Sequence, residues 1–147
     1  MFIYMQNIFS IVSQSSKGEL YLYITDGCIL QSYLSKSIDF KYWKEITKFR
    51  ISNHRLNIEV GHYKNVVRPL RLCTLCDHND IEDEFHFILK CPFYSDIRKL
   101  YIKKYYYQKP SMLKLVNLLR TQNVKELCNL GKFLTKATLT RNSAMND

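Results

Sequence analysis

The sequence predicts an all-α fold, a small helical domain stapled near its middle. Three observations carry that expectation. Apolar residues recur at three-and-four spacing along several stretches, as helices with one buried face require. Only four Gly and three Pro occur in 147 residues, too few for a turn-rich β fold. Between Cys73 and Cys91 the chain reads CTLCDHNDIEDEFHFILKC, where a CxxC pair precedes an HxxxxC pair, the ligand set of a Cys3His zinc knuckle.

The elements follow in order. Residues 2–13 are apolar and predict a short helix, ended by Ser15, Ser16 and Lys17. Glu19–Tyr23 suits a helix or a strand, because Leu20, Leu22 and Ile24 alternate with Tyr21 and Tyr23. Cys28–Leu34 predicts another short helix, with Cys28 a small buried apolar residue. Ser37 is placed to cap a helix over 38–51, whose Ile38, Tyr42, Ile46 and Phe49 share one face. Trp43, the one Trp, is a core anchor by default. Residues 56–61 read as a turn or extended piece, and Pro69 disfavours helix before the knuckle. Asp80 is placed to cap a helix whose first turn carries Glu82, Asp83 and Glu84, where the dipole favours acids. Ile81, Phe85, Ile88 and Leu89 then form an apolar stripe with His86 beside it.

After Cys91, Pro92 suits a helix start, and Tyr94, Ile97, Leu100, Tyr101 and Tyr105 predict a continuous helix over 93–106. Ser111 caps Met112–Leu119. Asn123 and Glu126 have capping-box spacing before a last helix over 124–140, with a frayed tail from Asn142. These units divide as an N-terminal helical segment 1–36, a basic helix and extended segment 37–71, the knuckle and its following helix 72–107, and C-terminal helices 110–141. One domain is expected, since no linker splits the chain and nothing repeats.

The four ligand-type residues Cys73, Cys76, His86 and Cys91 have rival explanations. Five Cys is an odd number, and no secretory signal precedes them, so a disulfide framework is disfavoured. Buried thiols explain one Cys but not four ligand residues in so short a run. A redox CxxC belongs beside a βαβ pattern, which is missing here. One structural Zn2+ is the expected cofactor, because soft thiolates and an imidazole with no open position suit zinc. Asp77, His78 and Asp80 compete as the fourth ligand.

Charge sets the expected partner. The formal net charge is +9, concentrated outside the knuckle. Residues 41–71 carry eight Lys/Arg against two acids, while residues 72–91 carry five acids and one Lys. A basic surface flanking a zinc module points to RNA or DNA. Lys41, Lys44, Lys48, Arg50, Arg55, Arg68 and Arg71 are the candidate phosphate contacts. The competing explanation is a solvated Lys-rich face. The N-terminus lacks a basic n-region and a cleavage site, and no apolar run reaches the ~20 residues of a membrane span. An intracellular location, nuclear or cytoplasmic, is expected.

Several stretches resemble the zinc-binding C-terminal region of reverse transcriptases from non-LTR (LINE-like) retrotransposons. They are the CxxC, the block EDEFHFILKCPFY with Arg98, the upstream KFRISNHRLNIEVGHY and the downstream LVNLLRTQNVKELCNLGKFLTKA, together spanning about residues 15–141. His62 departs from the Arg usual there. The resemblance implies zinc at Cys73, Cys76, His86 and Cys91, and RNA or DNA binding in support of target-primed reverse transcription. A polymerase domain would belong to the parent protein. No YxDD-like motif is present, so the expected function is a non-catalytic nucleic-acid-binding zinc module. Two alternatives stand beside it: a zinc-stapled protein-interaction module, and a degenerate retrotransposon remnant without present function. A zinc hydrolase ranks last, because it needs an open metal position and a general base.

Overall fold

The computed structural model describes residues 19–25 and 31–146. The expected helix over 2–13 and Cys28 lie outside the described residues. Among those described, the chain is helical, with one isolated antiparallel bridge between Leu72 and Ile81.

Helix α1 is Glu19–Ile24, which buries Leu20 and Ile24. The Cys28–Leu34 expectation reduces, in its described part, to a 3-10 turn at Ser32–Ser35. Helix α2 is Phe40–Arg50, capped by Asp39, which accepts from the Lys41 amide, rather than by Ser37. Ile46 and Phe49 form its buried face. Trp43 is half-buried against the core, and its indole donates to the Tyr33 carbonyl at 3.4 Å. Ser52, at φ 53°, ends the helix and redirects the chain.

Residues 57–63 are not extended. They form helix α3, Asn57–Tyr63, which buries Ile58, Glu59 and Gly61. Its N-terminus has no local side-chain cap. The Glu82 carboxylate accepts from the Asn57 amide at 2.7 Å, and the Glu82 carbonyl accepts from Ile58 at 3.1 Å. A partner 25 residues away in sequence supplies what the flanking residues lack. Gly61 is needed because a Cβ there would lie 2.6 Å from Cγ of Arg71.

After the knuckle come a 3-10 turn at Pro92–Tyr94 and helix α4, Ser95–Tyr101. The helix expected over 93–106 breaks at Ile102, which turns extended and is 4 % exposed. Ile102 and Tyr106, on either side of the new helix start, are both buried. Helix α5, Lys104–Gln108, follows. Helix α6, Met112–Leu119, starts at Ser111, whose side chain accepts from the Lys114 amide. Helix α7, Val124–Asn146, runs beyond the expected end at 140. Asn123 caps it as expected, accepting from the Glu126 amide at 3.0 Å. The expected fray at Asn142 is absent because Arg141, one residue earlier, is anchored inside the molecule.

The core lies where α2 crosses α7 and the knuckle rests on both. Phe87 is its centre. It stacks on Phe49 at 5.3 Å and meets Tyr94 and Phe133 edge-on at 4.6 and 6.0 Å. Each such ring, fully buried, contributes about 1.5–3 kcal/mol, with aromatic geometry adding about 1. Gly131 allows the α2–α7 approach: a Cβ there would stand 2.9 Å from Cα of Tyr42. Among the described residues no helix is long and apolar enough to cross a membrane.

Candidate metal centre

The site is built from a short hairpin and an unusual helical turn. Residues 71–73 and 80–82 pair antiparallel: Cys73 donates to the Asp80 carbonyl at 2.9 Å and Glu82 to the Arg71 carbonyl at 2.9 Å. The first arm carries Cys73 and the loop between the arms carries Cys76, and Asn79 at φ 53° turns the chain back. Asn tolerates this left-handed conformation better than most residues.

The second ligand pair depends on winding. Asp83, not Asp80, caps the following turn, accepting from the His86 amide at 2.8 Å. The segment His86–Lys90 is a π turn, closed by the Cys91 amide donating to the His86 carbonyl at 2.7 Å. In an α-helix, positions five apart lie about 140° round the axis from one another. An i→i+5 turn instead sets them one turn apart, so His86 and Cys91 face the same way. The expected stripe is correspondingly wider: Phe87, Ile88 and Leu89 are all buried.

Arg98 holds this turn closed at its C-terminal end. Its guanidinium is 4 % exposed and donates to the carbonyls of Ile88 (2.7 Å), Cys91 (2.9 Å) and Phe87 (3.2 Å). The carbonyls of Phe87 and Ile88 are ones that an ending helix leaves without partners, and that of Cys91 also accepts from the Tyr94 amide at 3.3 Å.

The four expected ligands come together. The ligand atoms of Cys73, Cys76, His86 and Cys91 all lie within 4.8 Å of one another, close enough to hold a metal ion. Cys73 Sγ is 3.9 Å from Cys91 Sγ, and Cys76 Sγ is 3.4 Å from His86 Nε2. The cysteines are free thiols, not disulfides. Asp77 and His78, weighed as rival ligands, are exposed and outside the group. Asp80 is a neighbour rather than a ligand. Its carboxylate accepts from Lys90 at 2.8 Å and lies 3.4 Å from His86 Nδ1, an ion-pair distance without hydrogen-bond alignment. That placement favours a proton on Nδ1 and leaves Nε2 for a metal.

Electrostatics follow the contacts. The Cys91 thiol donates to Cys73, which holds Cys73 well below the usual thiol range and Cys91 above it. Burial pushes the Cys76 thiol up. The Lys90 hydrogen bond holds Asp80 below the ordinary carboxylate range. Burial pushes Asp83 up. For Glu84 burial acts upward too, but hydrogen bonds from His54 and Ser52, each 2.8 Å from Oε1, outweigh it and bring the group down.

The acids of the block are therefore anchors. Glu82 is clamped by Arg141, whose Nε and Nη2 reach its two oxygens at 2.6 and 2.8 Å. Glu84 ties the Ser52–His54 segment to the knuckle. The sequence suggested both as helix-start acids favoured by the dipole. Only their long-range partners reveal the role, and the nearest signal was the unusual acid density of 80–84.

The basic residues divide. Lys41 and Lys44 are exposed on α2, as is Arg55 beyond it. Arg68 is exposed and 3.5 Å from Glu19. Lys48 is half-buried and pairs with Glu45 at 2.7 Å. Arg50 is 3 % exposed and donates to the carbonyls of Leu119 and Ile24 and to Gln31, with its guanidinium 4.4 Å from the Tyr33 ring. Arg71 is half-buried and donates to the carbonyls of Val66 and Ile58, both at 2.9 Å. Arg50 is thus committed inward, and Arg71 has its Nε and Nη1 engaged on backbone carbonyls.

No family profile, curated protein or solved structure matches the chain.

Proposed function

We propose that this chain is a non-catalytic module in which one structural zinc ion joins the Cys73–Cys76 loop to the His86–Cys91 turn, and whose basic surface binds nucleic acid. The observation that carries it is the geometry of the four ligand atoms. Tetrahedral zinc with ordinary bond lengths has edges of about 3.8 Å between sulfurs and about 3.6 Å between sulfur and nitrogen. Two of the six separations, Cys73 Sγ to Cys91 Sγ and Cys76 Sγ to His86 Nε2, are 3.9 and 3.4 Å, and all six lie within 4.8 Å. The donor set is soft, and Asp80 stands where an outer partner of the ligating His is usually found. Bound zinc would supply cross-linking, since four protein ligands leave no position for a reacting water.

The nucleic-acid half rests on the net charge of +9 and on exposed Lys41, Lys44, Arg55 and Arg68. Lys41 and Lys44 lie three apart on α2 and so share a face. The resemblance to the zinc-binding region of non-LTR reverse transcriptases agrees with this assignment and would make the chain part of a larger enzyme's architecture. A second reading has its own support. Tyr63, Val67 and Leu70 are 65, 61 and 66 % exposed, an apolar run that suits docking on another protein domain.

The test is metal content by native mass spectrometry on reduced protein and on His86→Ala, followed by binding to RNA and DNA at rising salt. One zinc in the parent, lost in the variant with a fall in helical signal, is expected. Nucleic-acid binding should weaken steeply with salt, whereas apolar docking should not. A folded, reduced parent that takes up no zinc refutes the proposal.

A further inference from the structure

We propose that a single-stranded nucleic acid is engaged on the α5–α6 face, with a base stacking on Tyr105 and phosphates meeting the lysines around it. This rests on the nucleic-acid reading above and moves its centre away from α2. Between Asp96 and Glu126 the chain contains eight Lys/Arg and no acid. Of these, Arg98 is buried under the π turn and Lys103 is paired with Glu126, but Lys99, Lys104 and Lys109 are exposed. Glu126 is itself turned inward, its side chain 13 % exposed and engaged by Lys103 and Thr121. Lys99 has an exposed partner in Asp96 at 3.9 Å, which leaves Lys104 and Lys109 as the exposed lysines of this stretch with no acid between Asp96 and Glu126 to offset them.

Tyr105 lies next to Lys104 in the chain and beside Lys114 in space. The residue is 60 % exposed although its neighbour Tyr106 is 8 % exposed. The two rings meet at 5.2 Å and 72°, so the buried ring braces the exposed one edge-on. Lys114, arriving from α6, sets its ammonium 4.7 Å from the Tyr105 ring centre. Lys104 precedes Tyr105 and Lys109 closes the same helix. An aromatic ring braced by a neighbour, with a cation beside it and open to solvent, is the arrangement that stacks a base while its phosphates are neutralised. A duplex hides its base faces, so charge and ring together fit a single strand.

The test uses zinc-loaded full-length protein and a short labelled oligouridylate, read by fluorescence anisotropy across about 50–200 mM salt. Tyr105→Ala should weaken binding about tenfold and Tyr105→Phe should bind like the parent, since stacking needs the ring and not the hydroxyl. Lys104→Ala and Lys114→Ala should each reduce the salt slope by about 1. Inorganic polyphosphate, which has no bases, should bind parent and Tyr105→Ala alike. Circular dichroism confirms folding of each variant. An unchanged oligouridylate affinity in Tyr105→Ala overturns the placement and leaves this face to a protein partner. So does a duplex that binds as tightly and loses as much. If Lys41→Glu with Lys44→Glu abolishes binding while Tyr105→Ala does not, the nucleic-acid reading stands and only this placement falls. If the parent binds no oligonucleotide at low salt, both fall.

Discussion

Replacing Glu82 with Gln should destabilise the protein far more than its position in an acid-rich run suggests. The side chain is 2 % exposed and accepts three hydrogen bonds, two from Arg141 and one from the Asn57 amide. Gln keeps the shape but removes the charge, and one of its two polar atoms becomes a donor facing a donor. Arg141, itself 7 % exposed at the side chain, is left without a counter-charge. Breaking a buried pair on one side costs about 3–5 kcal/mol. Losing the cap of α3 costs about 1 kcal/mol. The expected loss is about 4–6 kcal/mol, a large share of the 5–15 kcal/mol typical of a whole domain. Urea denaturation followed by circular dichroism, with zinc present at fixed excess, should show a lower midpoint at an unchanged slope. Arg141→Met should cost a comparable amount. The double variant should fall well short of the sum, with a coupling on the order of 3 kcal/mol, because neither charge is then stranded. A Glu82→Gln loss under about 1 kcal/mol, or strict additivity in the double variant, would refute the reasoning.

Three further outcomes are expected. Gly131→Ala should destabilise by about 1–3 kcal/mol even though Ala favours helices by about 1 kcal/mol, because the new Cβ meets backbone of Tyr42; a rise in melting temperature would contradict the close approach of α2 and α7. Arg98→Met should cost about 3 kcal/mol by removing a buried donor from the carbonyls of Ile88 and Phe87 and one of two donors from that of Cys91, and should speed zinc transfer to a competing chelator. Glu126→Gln tests a pH dependence: burial raises the Glu126 carboxyl, but hydrogen bonds from Lys103 and Thr121 prevail and hold it below the ordinary 4.5. Its folded-state value is depressed, so its contribution is complete above the unfolded value and disappears as pH falls through the folded one. Parent and variant should therefore differ in urea midpoint at pH 7 and converge in strong acid; a constant gap would argue against the assignment.

The ligand set was legible because CxxC and HxxxxC are local patterns, and Cys73, Cys76, His86 and Cys91 do converge. The Ser111 and Asn123 caps were legible for the same reason, each acting within three residues. What escaped was supplied from a distance. Residues 56–61 lack a helix signal of their own, and α3 exists because Glu82 caps it from the knuckle. The continuous helix expected over 93–106 followed its apolar spacing correctly, but Ile102 gains more by turning into the core than by extending the spiral. Arg50 and Arg71 looked like phosphate contacts because charge in a sequence carries no record of exposure. Their partners are carbonyls at Leu119, Ile24, Val66 and Ile58, which no pattern announces.

The position of α7 bears on how the chain is made. All four candidate metal ligands lie between residues 73 and 91, so the loop and the π turn could meet a metal ion while later residues are still being synthesised. The aromatic core cannot close at that stage. Phe87 waits for Phe133, and the clamp on Glu82 waits for Arg141. A growing chain would thus acquire its metal staple first and its packed interior last. Nascent chains that fail to capture metal would carry Phe49, Phe87 and Tyr94 uncovered through the interval in which aggregation competes with folding.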